Sequence, residues 1–168
     1  FDGVDDWIDV TAHNMPLTGN AVRSVSFWMK DELPLMNVVN PIQFGTVAYS
    51  GAAFGFNRNP TGQFGFWAHA HAGDPNFQGW HINPGIYTDG RWHQYAATYD
   101  GNTTRFYIDG AFMGSKQMLL NTSDGKLVIG RSRDEGNYLK GAIDEVRVYD
   151  RLLSAQEINE LHLTERPS

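Results

Sequence analysis

The chain of 168 residues contains no cysteine. Disulfide scaffolding, thiol nucleophiles and thiolate metal sites are therefore excluded. It has no cluster of basic residues: 13 Lys and Arg stand against 19 Asp and Glu, for a net charge of −6 with His neutral. Partners that need a cationic patch, nucleic acid or an anionic membrane surface, do not fit that balance. No apolar run approaches the ~20 residues that span a bilayer, so no membrane insertion is expected. No basic-then-apolar leader opens the chain. It starts at Phe1, without Met, and enters a strand-like run at once, so it reads as a module trimmed at its N-terminus. Internal repeats and low-complexity tracts are also missing.

Aromatic residues make up 13% of the chain and glycine occurs 18 times. That pairing suits strands and tight turns better than helices. The clearest local signal runs from Asp89 to Gly110. Asp89-Gly90 opens a strand-like run, Asp100-Gly101 closes it, and a second run, Thr103 to Ile108, ends in Asp109-Gly110. Asp-Gly between such runs marks a hairpin, because Gly accepts a positive φ and Asp tolerates one. Other alternating runs are Val22–Lys30, Gly45–Ser50, Ala53–Asn57, Gln63–His71, Lys126–Gly130 and Ala142–Tyr149. In the first of these, Val25, Phe27 and Met29 share one face and Ser24, Ser26 and Trp28 the other. The stretches 31–41 and 72–84 read as loops.

Many short strands separated by turn residues predict an all-β fold, an antiparallel β-sandwich or jelly roll. One helix is expected. Ser154-Ala-Gln-Glu157 is a capping box, followed by Ile158 and Leu161 on one stripe with Leu153, which predicts a short C-terminal helix over 154–162. The domain is expected over 1–163, with 164–168 a polar tail or the start of a linker.

The ordered motifs resemble a laminin-G-like domain of the concanavalin A-like lectin/glucanase superfamily. They are Phe1-Asp-Gly-Val-Asp-Asp-Trp-Ile8, Val25-Ser-Phe-Trp-Met-Lys30, Asp89-Gly-Arg-Trp-His93 with Thr98-Tyr-Asp-Gly101, and Tyr107-Ile-Asp-Gly110. Leu127-Val-Ile-Gly130, Gly141–Tyr149 and Leu153-Ser-Ala-Gln-Glu-Ile158 complete the set. The resemblance covers nearly the whole chain and implies the concanavalin A-like jelly roll. Function does not follow from fold, since such domains serve as carbohydrate-binding modules, adhesion domains and parts of large secreted proteins. The resemblance also implies that His93 is a structural hydrogen-bonding residue. It further implies a structural calcium near the opening and closing strands, at the positions matching Asp2, Asp6 and Asp144, with a carbonyl from Gly3. The opening turn offers Asp5 as well, and the alternative is that these carboxylates cap turns.

Glucanase chemistry on this kind of fold needs two carboxyl groups about 5–5.5 Å apart. On the strand carrying Asp144 and Glu145, neither face holds a second acid two residues away, so no catalytic residue is assigned. The residue types of a Ser-His-Asp triad are present, but no nucleophile elbow is. His69 and His71 share a strand face with Trp67. Two imidazoles at that spacing are open to zinc or copper, but with no third ligand at fixed spacing the ordinary reading is exposed imidazoles on a polar sheet face.

The candidate binding surface is built on Trp67, His69 and His71, which alternate with Phe66, Ala68 and Ala70. An indole beside polar rings suits a sugar, which offers C–H faces for stacking and hydroxyls for hydrogen bonding. Trp80 and His81, read as loop residues, would border it; Arg131, Arg133 and Tyr138 from another loop would complete it. The alternative for each Trp is packing as a satellite core residue. The expected function is a noncatalytic carbohydrate-binding module of a secreted or cell-surface protein, with a glycan or a neighbouring protein domain as partner. The alternatives are a protein-interaction or adhesion module, and a glycosidase or polysaccharide lyase on the same jelly roll.

Overall fold

Period-two alternation, repeated along the chain, builds two antiparallel sheets that stack their apolar faces. The computed structural model describes residues 1–10, 17–32, 38–45, 53–59, 64–68, 78–82, 89–124, 126–132 and 137–168, with backbone alone over 64–68 and 78–82. The strands are β1 (Ile8–Val10), β2 (Arg23–Asp31), β3 (Ile42–Gly45), β4 (Ala53–Arg58), β5 (Phe64–Ala68), β6 (Gln78–Ile82), β7 (His93–Tyr99), β8 (Thr103–Ile108), β9 (Ala111–Gln117), β10 (Leu127–Ile129) and β11 (Gly141–Tyr149). A single helix, α1 (Ala155–Thr164), follows. One sheet has the order β1-β10-β3-β4-β5-β6 and the other β11-β2-β7-β8-β9. This is the expected antiparallel sandwich jelly roll with one short C-terminal helix.

The core lies between the sheets. Val25, Phe27, Met29, Tyr95, Ala97, Phe106 and Ile108 meet Ile42, Phe44, Phe54, Phe56, Leu127 and Ile129. Phe27 touches across the gap, its ring edge-on to Phe56 at 4.8 Å and stacked on Tyr95 at 5.6 Å. Arg23 fills one end of the sandwich. Its guanidinium is fully buried and donates to the carbonyls of Leu17, Gly19 and Ala21 and to Thr122 Oγ1, at 2.7–3.1 Å. Burial lowers its pKa to about 10, because the charged form is the one that loses water.

The hairpin signals are realised as β7–β8–β9. Gly101 and Gly110 take φ of +99° and +74°, and Asp109 joins them at +50°. The helix begins with both bonds of the capping box: Glu157 N donates to Ser154 Oγ and Ser154 N donates to Glu157 Oε2. It runs to Thr164, and Glu165 beyond it caps the last turn and binds Arg147 at 2.8 Å, so the tail expected from 164 is tied down at its start.

Three readings change. Residues 78–82, expected in a loop, form β6 and pair with β5. Ala111–Gln117 forms β9, which Gly114 and the polar run Ser115-Lys-Gln117 hide; it pairs with β8 along one side only, as an edge strand. The strand expected at 45–50 is realised earlier, as Ile42–Gly45, while 46–50 lie outside the described residues.

Both faces of β2 are buried except at Lys30. The inner face packs in the core. The outer face is covered by α1: Leu153 and Ile158 pack on Ala96 and Tyr107, His162 stacks on Trp28 at 5.4 Å, and Gln94 Nε2 donates to Ser26 Oγ and to the Ile158 carbonyl. Gly110 lets the helix approach, since a Cβ there would sit 2.7 Å from Asn159 Oδ1.

Candidate functional site

The outer face of the six-stranded sheet has a different chemistry. Cross-strand partners share a face, so register defines rows. Phe44 and Phe54 form one row, and Phe56, Phe66 and Trp80 another; Phe44, Phe54 and Phe56 belong to the core. The alternate rows therefore face away from it. One reads Gln43, Gly55, Trp67, Gly79 across β3 to β6, and the next reads Asn57, Gly65, His81. Trp67 stands between two glycines, and Gly65 stands between Asn57 and His81. Three of these positions carry no Cβ, and the described residues of both rows, Gln43, Gly55 and Asn57, are buried.

The described side chains on this face form an amide chain. Asn57 Nδ2 donates to Asn40 Oδ1 at 2.8 Å, Asn40 Nδ2 to Gln43 Oε1 at 3.0 Å, and Gln43 Nε2 to the Gly45 carbonyl at 3.4 Å. All three residues are at most 5% exposed. Buried amides persist where their bonds are made, and a linked chain fixes each amide's orientation. Sequence reading passed over this trio. The signal was there: Gln43 between Ile42 and Phe44, and Asn57 beside Phe56, alternate with core aromatics.

Trp67 and His81 fall in outward rows, whereas Trp80 falls in the row of Phe56. The side chains of these three, and all of His69, His71 and Arg133, lie outside the described residues. Arg131 and Tyr138 do not join them. They pair with each other in a bridge beyond β10, and β10 is separated from β5 by β3 and β4, roughly 14 Å at the usual strand spacing. Arg131 instead lays its guanidinium 3.8 Å above the ring of Trp7, a pairing that sequence spacing cannot reveal.

Asp2, Asp5 and Asp6 come together at the surface, with ligand oxygens within 4.8 Å of one another. Asp2 Oδ1 accepts from Val4 N at 2.8 Å and Asp6 Oδ2 from Asp2 N at 3.0 Å. The Val4 amide is the main reason that the Asp2 carboxyl is held below its ordinary pKa. Each of these two carboxylates keeps a second oxygen. The donor set is hard and suits calcium, which takes six to eight oxygens. Asp144 stands apart from this group. Asp2 pairs with Lys140, and Asp144 lies four residues further along β11, about 13 Å at strand rise. Its Oδ1 accepts from Glu145 N at a bulge where Glu145 has φ +49°.

His93 has its hydrogen-bonding place between two turns. Nδ1 lies 2.7 Å from Asp109 Oδ2 and Nε2 lies 3.1 Å from Asp89 Oδ1. The Asp109 hydrogen bond, with the charges of both carboxylates, raises the imidazole pKa against the opposing effect of burial.

Residues 2–159 match a family described as the concanavalin A-like lectin/glucanases superfamily, in its laminin-G-like branch. No curated protein sequence matches the chain. Among solved structures, the binding domain of botulinum neurotoxin serotype D is similar, with a TM-score of 0.71 and 18% identity over 96% of this chain and 41% of that one. Domain 4 of an extracellular arabinanase from Geobacillus stearothermophilus, solved with arabinotriose, gives 0.62 and 21% over 88% of this chain and 68% of that one. Botulinum neurotoxin type C, whose uptake into cells depends on interaction with two ganglioside molecules, gives 0.65 and 14% over 88% of this chain and 36% of that one. The chain thus spans about two fifths of the toxin structures it matches. At these identities the likeness is one of fold.

Proposed function

The chain belongs to the laminin-G-like family of the concanavalin A-like lectin/glucanase superfamily, and on that premise we propose that it is a noncatalytic carbohydrate-binding module of a secreted or cell-surface protein. The observation that carries this reading is the outward row Gln43–Gly55–Trp67–Gly79 beside the buried amide chain of Asn40, Gln43 and Asn57. Glycines flanking an indole leave room for a pyranose or furanose ring to lie along it. Amides held in fixed orientation give the rim directional hydrogen-bonding character. The similar folds that meet gangliosides and arabinotriose support this reading. The module holds its ligand by stacking and hydrogen bonding and performs no reaction.

Glycan-array screening of the intact chain tests the reading. Binding to at least one glycan class is expected, with loss in Trp67→Ala. An array without signal, or a Trp67→Ala variant that keeps every glycan the wild type binds, overturns it. Asp2, Asp5 and Asp6, with the Gly3 carbonyl, would hold the calcium ion that the family implies, where it would pin the opening segment against Lys140. Chelator at matched ionic strength should then lower the melting midpoint, and an unchanged midpoint counts against the ion.

A further inference from the structure

Helix α1 does not cover the whole outer face of the five-stranded sheet. The helix and the segment leading into it reach the rows of Ser24, Ser26 and Trp28 on β2. One row further on, Ala142 pairs with Lys30, and the β2–β7 register, which pairs Met29 with His93, carries Lys30 opposite Trp92. A cavity of about 650 Å³ opens over this uncovered row, with Gly90 and Gly141 in its wall and Ser168 on its border. The volume lies in the range of small-ligand sites. Its lining is uneven in a telling way. Gly90, Gly141 and Ala142 leave the floor low, and half-buried Trp92 is the one large aromatic surface.

Charge at the cavity is also one-sided. Asp31 and Glu32 contribute to the wall, but both are engaged: Asp31 lies 3.0 Å from Arg58 Nη2, and Glu32 lies 2.9 Å from Lys140 Nζ. Lys30 is exposed and has no ion-pair partner among the described residues. Lys30 is therefore the one charged side chain of this cavity without an ion-pair partner among the described residues, next to an indole and above a floor of small residues, with the terminal residue Ser168 at the border.

We propose that this cavity is a second saccharide site, separate from the Trp67 face, and that it takes a carboxylated pyranose of the uronic-acid type. The sugar's C–H face lies on Trp92, and its carboxylate meets Lys30 Nζ in a charge-assisted hydrogen bond. Lys30 springs from β2 and Trp92 from the residue just before β7, so the paired strands fix the spacing of the two backbones.

Calorimetric titration of the intact chain with trigalacturonate, and with neutral galactotriose for comparison, tests the proposal. Ala142→Leu fills the floor, and Lys30→Gln removes the charge while keeping length. Each should weaken trigalacturonate by about tenfold or more, the scale of one charge-assisted bond. Galactotriose should bind the wild type more weakly than trigalacturonate, and Trp67→Ala should leave trigalacturonate affinity intact. A melting scan of each variant separates lost binding from lost folding. The proposal fails if wild type does not bind trigalacturonate, if folded Ala142→Leu and Lys30→Gln both bind it as wild type does, or if Trp67→Ala abolishes it. Equal affinity for the two trisaccharides also overturns it.

Discussion

The two outer faces of the sandwich use the same strand geometry to opposite ends. On the five-stranded sheet the polar-looking row of Ser24, Ser26 and Trp28 is sealed by the chain's own helix. On the six-stranded sheet the outward rows carry amides, glycines, Trp67 and His81, and their bonded amide trio is organised for hydrogen bonding rather than for apolar packing. A sheet face is finished either by an element that packs on it or by chemistry that a ligand can use. Helix α1 is the first solution, the proposed glycan face would be the second, and the gap at the end of the helix-covered face adds a cavity.

The contrast breaks most readily at the helix. Ile158 is fully buried between α1 and the sheet. Ile158→Ala should destabilise the fold by about 2–5 kcal/mol in urea denaturation, as large-to-small core changes do. A loss under ~1 kcal/mol would mean that the helix rests on the sheet without holding it. On the other face, Gln43→Leu removes the acceptor of Asn40 Nδ2 and should cost about 1–3 kcal/mol, the penalty of an unsatisfied buried amide. Glycan capture should fall with it; retained capture would detach the amide chain from binding. Ser154→Ala removes the helix cap and should cost about 1 kcal/mol, with loss of helical signal at 222 nm well below the melting transition.

The smallest expected effect is a pH dependence confined to the helix side. His93 has a raised pKa in the folded chain, so its protonated form binds Asp89 and Asp109 more strongly than the unfolded chain can. Its contribution is fully present below the unfolded value of ~6.5 and is lost as pH rises through the raised folded value. His93→Gln should flatten the fall in stability across that window. A wild-type slope that survives the substitution would place the proton elsewhere.

The sequence made the hairpin legible because Asp-Gly is a local device: Asp100-Gly101 and Asp109-Gly110 need only their own backbone preferences. The helix start was legible for the same reason, since Ser154 and Glu157 satisfy each other within one turn. The core side of β2 was legible from alternation at Val25, Phe27 and Met29. Strand β6 was not, because Gln78-Gly-Trp-His-Ile82 sits among turn-forming residues and gains its strand state from pairing with β5. The surroundings of Arg131 and Asp144 were not legible for a related reason. Their loops and strand ends are placed by sheet order, which brings Trp7 to Arg131 and leaves Asp144 several residues along β11 from Asp2.

The sequence alone determined most of the strands, the Asp-Gly turns, where the helix starts and which side of most strands is apolar. Those properties follow from backbone preferences and a period of two, and act over a few residues. Tertiary structure decided what lies on each outer face, which acids meet, and where a cavity remains. Those outcomes depend on strand order and on the docking of α1, contacts between residues from about ten to more than a hundred positions apart, whose energy exists only once the sheets have closed on each other.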